Sequence, residues 1–337
     1  MATETADDVL SVHDLKSYFF SREGTLRAID GLSFNLKAGK VLGIAGESGC
    51  GKSVTAQSIL RILPRHGKTV SGQVLLNRDG KVTDLLALGE ESPEIRRIRG
   101  KEIAMIFQEP MTSFSPVHTI GDQIIETIRL HRGLSKAQAR ASAIEILESV
   151  GMPHPSRTID EYPFNLSGGM RQRAMIAMAL SCNPRVLIAD EPTTAVDVTI
   201  QAQVLELIRQ MQAQLGMAVI MITHDLGVIA ELADHVLIMY LGRGVEFGSV
   251  EQIYHNPKHP YTRGLLASIP KLQKGHTLVE PIKGAVPNPY DAPAGCPFHP
   301  RCPQFIQGTC EVAMPQIVEV EPGHWVACHL YGGEDQR

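Results

Sequence analysis

A glycine-rich loop between an apolar segment and a helical segment constrains the fold of this chain more than any other feature. Residues 46–53 read Gly-Glu-Ser-Gly-Cys-Gly-Lys-Ser, which fits the phosphate-loop pattern G-x-x-x-x-G-K-[ST]. The apolar run Lys40–Ala45 predicts a buried strand before the loop, and Val54–Ile62 predicts a helix after it. This order predicts an α/β domain with a mainly parallel sheet.

The residues of this phosphate loop have the chemistry needed to bind a nucleoside triphosphate. Its glycines allow a tight backbone whose N–H groups point at phosphate oxygens, and the following helix presents its positive N-terminus to the anion. Lys52 is expected to bridge the β and γ phosphates, and Ser53 to ligate Mg²⁺. The predicted nucleotide contacts are Gly46, Ser48, Gly49, Cys50, Gly51, Lys52, Ser53 and Val54.

Cys50 lies inside the phosphate loop and has two interpretations. A helix N-terminus lowers the pKa of a nearby thiol, which favours an oxidisable switch. Alternatively, Cys50 is a small residue whose side chain takes no part in the chemistry. The sequence leaves both interpretations open.

A pair of acidic residues follows a second apolar strand. Val186–Ala189 predicts a buried strand, and Asp190 at its tip is placed to hold Mg²⁺ directly or through water. Glu191 is then expected to polarise the attacking water, because phosphoryl transfer depends on positioning and charge neutralisation. Further runs of strand length are Glu102–Phe107, Val219–Thr223 and Val236–Tyr240.

A helical insert separates these two motifs, over about residues 110–180. Isoleucines at positions 120, 124, 125 and 128 have helical spacing. A second helix is predicted to begin at a capping box of Ser135 and Gln138 and to end near Gly151. After these two helices, Ser167-Gly168-Gly169 is predicted to begin another helix and forms a second candidate anion site.

With these three motifs in this order, residues 9–248 resemble the ATP-binding subunits of ABC transporters. The resemblance implies an α/β P-loop NTPase fold with an antiparallel β subdomain, a helical subdomain and a small Cys-rich C-terminal extension. The same resemblance implies that Glu191 is the catalytic glutamate and that Ser167–Gly169 is the signature segment. It also implies that Gln108 senses Mg²⁺ and that His224 contacts the γ-phosphate. The catalytic residues that it implies are Lys52, Gln108, Glu191 and His224.

Other roles follow from the same resemblance. Asp197 matches the loop beside the signature of a partner chain, and Phe19 is the best candidate for the aromatic ring that stacks on adenine. Tyr18 and Phe20 are close enough in sequence to compete with Phe19. Two ATPase chains are expected to close head-to-tail around two nucleotides, so that each signature completes the site of the other chain.

Several sequence segments resemble the dipeptide/oligopeptide importer branch of this family. They are residues 105–113, residues 193–203 and His259-Pro260-Tyr261-Thr262. This resemblance implies three kinds of partner: a second homologous ATPase in a heterodimer, two transmembrane permease subunits and an extracytoplasmic solute-binding protein. It leaves open another solute, such as a sugar or nickel, or a soluble ABC ATPase with a redox-sensing tail.

The charge and the hydropathy pattern agree with a peripheral subunit on the cytoplasmic face of the membrane. The net charge of −4 gives no global basic field for nucleic acid. No apolar run approaches the roughly 18–20 residues that span a bilayer. The polar, acidic N-terminus does not fit a signal peptide.

The last part of the chain is rich in proline and cysteine, and we place a boundary between a nucleotide-binding domain (residues 1–256) and a C-terminal extension (residues 257–337). Cys296, Cys302, Cys310 and Cys328 are expected to hold a [4Fe–4S] cluster, because the extension is similar to the cluster-binding tail of peptide-importer ATPases. Zn²⁺ and unliganded or oxidised cysteines are the alternatives. His299 and His324 are possible substitute ligands.

Overall fold

The computed structural model divides into two compact units. The first unit comprises residues 1–35, 41–86 and 222–337, and the second comprises residues 36–40 and 87–221. The residues that the structure describes are 7–108, 114–193, 198–269, 271–273, 276–278 and 281–332. The phosphate loop therefore belongs to the first unit, and the acidic pair and the signature segment belong to the second.

Strands and helices alternate along most of the chain. The strands are β1 (Asp8–Ser21), β2 (Gly24–Lys37), β3 (Val41–Ala45), β4 (Gly67–Arg78), β5 (Lys81–Asp84), β6 (Ile103–Ile106), β7 (Val186–Asp190), β8 (Ala218–Ile222), β9 (His235–Tyr240), β10 (Arg243–Ser249), β11 (Lys271–Gln273), β12 (His276–Leu278), β13 (Ile317–Glu321) and β14 (His324–Ala327). The helices are α1 (Lys52–Leu60), α2 (Pro93–Ile98), α3 (Ile120–Arg132), α4 (Lys136–Ser149), α5 (Pro155–Thr158), α6 (Gly168–Leu180), α7 (Val198–Leu215), α8 (Leu226–Leu232), α9 (Val250–His255) and α10 (Pro260–Ala267).

One sheet of the first unit has the order β2-β1-β4-β5, with β4 antiparallel to β1 and to β5. A bulge in β1 lies between His13 and Lys16. Such an insertion shifts the alternation of side chains by one residue. The fully buried positions accordingly change from Leu10 and Val12 to Leu15 and Ser17.

A second sheet of the first unit contains the strand that precedes the phosphate loop. Here β3 pairs in parallel with β9, and the order continues through β10 and β14 to β13. Leu42, Ile44 and Ala45 are all at most 1% exposed, as expected for a strand that is covered on both faces. Two strands of the C-terminal extension thus continue this sheet, which the loop-rich sequence of the extension did not predict.

A buried polar network joins the extension to β10. Glu246 is fully buried and accepts hydrogen bonds from the backbone N–H groups of Lys258 (2.6 Å) and His259 (2.9 Å). Its carboxylate also accepts from Nε2 of the buried His324 (2.8 Å), which leaves His324 engaged in the network. Burial raises the pKa of Glu246, but the hydrogen bonds outweigh it, so that the pKa lies below its usual value.

The second unit combines helices with parallel strands. β6 and β7 are parallel and lie next to each other, and β8 follows β7 in the strand order. The predicted capping box of α4 is confirmed, because Ser135 Oγ accepts from Gln138 N (3.4 Å) while Gln138 Oε1 accepts from Ser135 N (3.1 Å). The predicted isoleucine stripe of α3 is also confirmed, since all four side chains are at most 6% exposed. No helix within the described residues is long and apolar enough to cross a membrane.

Candidate functional site

The phosphate loop connects β3 directly to α1, as the sequence predicted. Close packing explains two of its glycines. A Cβ atom at Gly46 would lie 2.2 Å from the carbonyl oxygen of Met239, and one at Gly51 would lie 2.4 Å from that of Ala28. Gly51 also has φ +105°, which L side chains rarely adopt. Glycine at these positions therefore lets the loop pass close to neighbouring backbone.

Lys52 lies at the centre of this loop and is only 6% exposed. Its Nζ donates to the carbonyl oxygens of Gly46 (2.8 Å) and Glu47 (3.1 Å). Ser48 and Gly49 are exposed, and Ser53 and Val54 are partly buried in the first turn of α1. The loop thus holds a buried ammonium group beside an exposed turn, which suits the binding of an anion.

Cys50 is 4% exposed, and its Sγ lies 4.0 Å from Lys52 Nζ. Burial raises the pKa of its thiol, even though the lysine acts in the opposite direction. A protonated, buried thiol is a poor nucleophile. The structure therefore favours the interpretation of Cys50 as a small packing residue over that of an oxidisable switch.

His224 is exposed and lies two residues after β8, in the first unit. The backbone N–H of its neighbour Thr223 donates to the carbonyl of Ile44 on β3 (3.3 Å). The side chain of Asp225 caps α8 by accepting from Gly227 N (2.8 Å). His224 therefore comes directly after Thr223, whose backbone is hydrogen-bonded to β3, the strand that leads into the phosphate loop.

The three candidate adenine-stacking rings lie on β1. Tyr18 donates its hydroxyl proton to Asp30 (2.8 Å), and the guanidinium of Arg27 lies 5.9 Å from its ring centroid. Phe19 is partly buried and pairs with Gly67, where an added Cβ would lie 2.8 Å from the Phe19 ring. Phe20 is 48% exposed. Tyr18 is thus engaged in local contacts, whereas Phe19 is partly buried and Phe20 is exposed.

The acidic pair and Gln108 come together in the second unit. Asp190 ends β7 and is 3% exposed, whereas Glu191 is partly exposed with φ +46°. The side-chain amide of Gln108 donates to Glu191 Oε2 (2.9 Å). Backbone strain at a non-glycine residue is a feature of functional sites. The structure therefore brings a carboxylate and an orienting amide together at the end of a buried strand.

The signature segment begins α6. Ser167 is the N-cap, and its hydroxyl accepts a hydrogen bond from Met170 N (3.3 Å). Ser167 and Gly168 are exposed, and Gly169 is partly buried. This arrangement has the serine hydroxyl and the helix N-terminus that the sequence predicted. Asp197 lies outside the described residues.

The four cysteines of the extension lie near one another. Cys296, Cys310 and Cys328 are each 8% exposed, and Cys302 is partly exposed. The pKa of Cys296 is raised to about 11 and that of Cys328 to about 12, mainly by burial and in smaller part by the charges of the other thiols. Within the described residues, however, no three His, Cys, Asp or Glu side chains are arranged so that they could hold a metal ion.

Sequence reasoning missed three residues that contact one another at the phosphate loop. Glu47 forms an ion pair with Arg301 of the extension, and its backbone N–H donates to the hydroxyl of Tyr261. Glu47 was only a variable position of the motif, and Arg301 had no signal apart from the neighbouring Cys302. Tyr261 belongs to residues 259–262, a segment that resembles dipeptide/oligopeptide importers, and this resemblance was the one sequence signal for these three residues.

Comparison with known proteins identifies the family. A family model described as "ABC transporter" matches residues 29–194, and one described as "Oligopeptide/dipeptide transporter, C-terminal region" matches residues 245–310. A probable peptide ABC transporter ATP-binding protein of Sinorhizobium fredii is 51% identical over 96% of this chain and 95% of that protein. The dipeptide transport ATP-binding protein DppD of Bacillus subtilis is 46% identical over 98% of this chain and 96% of that protein.

A solved structure gives the same result for the fold. The dimeric bacterial ABC transporter cassette MJ0796 is 25% identical to this chain, with a TM-score of 0.62, and covers 72% of this chain and 98% of that one. The fold is therefore the P-loop ABC ATPase cassette with mixed sheets and helices. The chain belongs to the ATP-hydrolysing, ATP-binding subunits of ABC transporters, within the dipeptide/oligopeptide importer family.

Proposed function

We propose that this chain powers the uptake of di- and oligopeptides across the cytoplasmic membrane. The observation that carries the proposal is the match of residues 245–310 to the C-terminal region of oligopeptide/dipeptide transporters, in a chain that also contains an ABC cassette. Relatives named for peptide or dipeptide transport align over nearly the whole chain, which supports the same assignment.

The first unit supplies the residues that bind the triphosphate. Lys52 neutralises the β and γ phosphates, and the loop N–H groups from Gly46 to Ser53 donate to their oxygens. His224 contacts the γ-phosphate, and Phe19 stacks on adenine. The buried position of Lys52 supports its role, because an ammonium group shielded from water interacts more strongly with an anion.

A second group of residues acts on water and metal. Mg²⁺, when bound, neutralises charge on the transferring phosphate, and Ser53, Gln108 and Asp190 are the residues that would hold it. Glu191 orients the attacking water and accepts its proton. The hydrogen bond from Gln108 to Glu191 supports this role, because it fixes the carboxylate before the reaction.

In this proposal a complete ATP site needs two chains. Nucleotide bound to a second, homologous ATPase in a heterodimer is contacted by the signature segment, Ser167–Gly169, and by Asp197. The exposure of Ser167 and Gly168 supports this arrangement. Two permease subunits anchor the pair at the cytoplasmic face of the membrane, and an extracytoplasmic protein delivers the solute.

The nucleotide-binding domain spans residues 1–256, with a helical subdomain over about 110–180, and the extension spans 257–337.

An uptake experiment tests the solute. Cells with and without the gene are given labelled dipeptides, oligopeptides and sugars. We expect peptide uptake to be lost without the gene and restored by the wild-type chain but not by Lys52→Ala. Lys81→Ala, a change at an exposed lysine of β5, is the matched control and should restore uptake. Normal peptide uptake with loss of another solute would overturn the peptide assignment.

The role of Glu191 is tested by substitution with glutamine. Loss of a general base slows a reaction by about 10²–10⁴-fold, so we expect Glu191→Gln to reduce ATP turnover of the assembled transporter to that extent. The variant should also accumulate as an ATP-bound dimer in gel filtration. Glu206→Gln on the exposed surface of α7 is the control and should turn over normally. Undiminished turnover in Glu191→Gln would exclude Glu191 as the base.

We further propose that Cys296, Cys302, Cys310 and Cys328 hold a [4Fe–4S] cluster, with Zn²⁺ as the alternative. Four thiols in one small, largely buried region support this proposal, although as they stand within the described residues they are not arranged as a metal site. Metal coordination would also relieve the cost of burying ionised thiols. Iron, acid-labile sulfide and zinc are measured after anaerobic purification. Zinc without iron would favour the alternative, and the absence of all three would overturn the proposal.

A further inference from the structure

An ion pair connects the C-terminal extension to the phosphate loop across 254 positions of sequence. Arg301 ends the short 3-10 turn His299–Arg301, which immediately precedes Cys302. Its Nη1 lies 2.6 Å from Glu47 Oε2, and its Nη2 lies 3.0 Å from Glu47 Oε1. Two parallel hydrogen bonds of this kind fix orientation as well as distance.

This pair is not an ordinary surface salt bridge. The Arg301 side chain is 4% exposed and that of Glu47 is 27% exposed. Exposed pairs contribute little because water and salt screen them, whereas removing one partner of a shielded pair leaves an uncompensated charge. Loss of either residue is therefore expected to cost more than loss of one partner of an exposed ion pair.

Glu47 is also held through its backbone. Its N–H donates to the hydroxyl of Tyr261 on α10 (2.8 Å), and its carbonyl accepts from Lys52 Nζ (3.1 Å). The second residue of the phosphate loop is thus bonded at its side chain, its N–H and its carbonyl. Two of these three partners, Arg301 and Tyr261, belong to the extension.

Aromatic packing keeps the two extension residues in place. The rings of Tyr240, Tyr261 and Phe298 contact one another with centroid distances of 4.7, 5.3 and 5.3 Å, and each residue is at most 1% exposed. The Arg301 guanidinium lies 5.9 Å from the Tyr240 centroid and 6.0 Å from that of Phe298. A guanidinium in contact with two rings is restricted in orientation, which reduces the entropy lost in pairing with Glu47.

We propose that Arg301 is a positioning residue for ATP binding: through Glu47, and together with Tyr261, it holds the phosphate loop in the shape that receives the triphosphate. ATP affinity of this subunit then depends on a residue of the extension that does not touch the nucleotide. This inference rests on the phosphate loop and family membership, and it does not require the proposed cluster or the peptide solute.

The test is a double-mutant cycle on ATP binding to the full-length chain. Binding of MgATPγS is measured by calorimetry for wild type, Arg301→Ala, Glu47→Gln and the double variant. Coupling between contacting charged residues typically changes affinity by about 3- to 100-fold. We expect each single variant to raise the Kd within this range, and the double variant to be no weaker than the worse single one.

Two further variants separate positioning from folding. Arg301→Lys keeps the charge but loses the second hydrogen bond, so we expect an intermediate Kd. Arg263→Ala removes another arginine of the extension, one that bonds to Pro257, Gln304 and Tyr331, and is expected to bind MgATPγS like the wild type. If Arg301→Ala does not fold, Glu47→Gln and Arg301→Lys still decide the matter.

Turnover gives an independent measurement. In the assembled transporter, a positioning role predicts a higher KM for ATP with kcat at saturating ATP within about twofold of the wild-type value. A Kd within twofold of wild type in both Arg301→Ala and Glu47→Gln would overturn the proposal. So would multiplicative losses in the double variant, because they would show that the two residues act separately.

Discussion

The phosphate loop and the signature segment each lead into a helix, at Lys52 and at Gly168, but their surroundings differ. At the phosphate loop, Lys52 is buried and bonded to loop carbonyls, and no side chain described in the structure caps α1 at Gly51. At the signature segment, Ser167 is exposed and caps α6 itself. An uncapped helix end leaves its first N–H groups for an anion, whereas a capped one needs no ligand to be stable.

The two helix ends that the sequence predicts to bind anions are therefore built in different ways. The phosphate loop is shaped by close backbone contacts and by the extension, so its shape depends on the fold of its own unit. The signature segment depends on local hydrogen bonds and faces solvent. Substitutions in the first region should therefore affect folding and ATP binding together, and those in the second should affect mainly the assembled transporter.

The largest expected effect is at Gly46. Gly46→Ala places a Cβ atom 2.2 Å from Met239 O, so we expect a loss of about 3 kcal/mol in the free energy of unfolding and loss of ATP binding. Gly49→Ala is the control, because its Cβ would meet nothing within 4 Å and only φ +79° opposes it. That strain costs about 1–2 kcal/mol. Equal losses in urea unfolding would contradict the importance of the close approach at Gly46.

The next largest effect is the pH dependence of stability that His259 of the extension causes. Burial lowers the pKa of His259 to about 4 from the usual value of 6.5, so the unfolded chain binds a proton that the folded chain does not. The contribution of His259 to the free energy of unfolding is therefore complete above pH 6.5 and is lost as the pH falls towards 4. The loss should reach about 2 kcal/mol at pH 5.

This pH dependence is measured by urea unfolding at pH 7.5 and pH 5. His259 caps α10 through Nδ1, which accepts from Tyr261 N (3.0 Å), so His259→Asn keeps a capping acceptor without the titration. We expect a flatter pH dependence in this variant. The same slope in His259→Asn and in wild type would show that other groups are responsible.

A smaller effect is expected at the signature helix. Ser167→Ala removes the N-cap of α6 and should lower the unfolding free energy by about 1 kcal/mol. Ser135→Ala removes the N-cap of α4 in the same unit and should cost a similar amount. Only Ser167→Ala is expected to slow ATP hydrolysis by the assembled transporter. Equal hydrolysis by the two variants would remove the functional distinction between these helix ends.

The smallest effect on stability is expected at Gly168. It is the first helical residue of α6, and an added Cβ would meet nothing within 4 Å. Gly168→Ala should therefore stabilise the chain by about 0.5 kcal/mol, because alanine loses less backbone entropy on folding. Turnover of the assembled transporter should nevertheless fall if a nucleotide of the second ATPase closes on this surface. Normal turnover would contradict that arrangement.

Features encoded by neighbouring residues were predictable from the sequence. The capping box at Ser135, the strand–loop–helix at the phosphate loop and the strand before Asp190 all depend on residues a few positions apart. Boundaries were less exact: β6 covers Ile103–Ile106, whereas the apolar run suggested Glu102–Phe107. Apolar composition identifies a strand but does not determine where its last hydrogen bond forms.

Features that join distant segments were not predictable. No residue near Arg301 in sequence indicates that its partner is Glu47. The alternation of apolar and polar residues in β14 likewise does not indicate that this strand pairs with β10. Both depend on how the extension packs, which one sequence does not reveal. The roles of Lys52, Gln108, Glu191 and His224 are predictions from motifs, and Lys52→Ala and Glu191→Gln test two of them.

The stacked rings at the edge of β10 have a practical consequence. Trp325 on β14 is the single tryptophan of the chain, and it stacks on Phe247 of β10 at 5.6 Å, which in turn stacks on His235 at 5.6 Å. The intrinsic fluorescence of the protein therefore originates at the seam where the extension joins the sheet. Detachment of the extension would expose this indole to water and shift its emission to longer wavelengths, so an unlabelled sample reports on the seam during any titration.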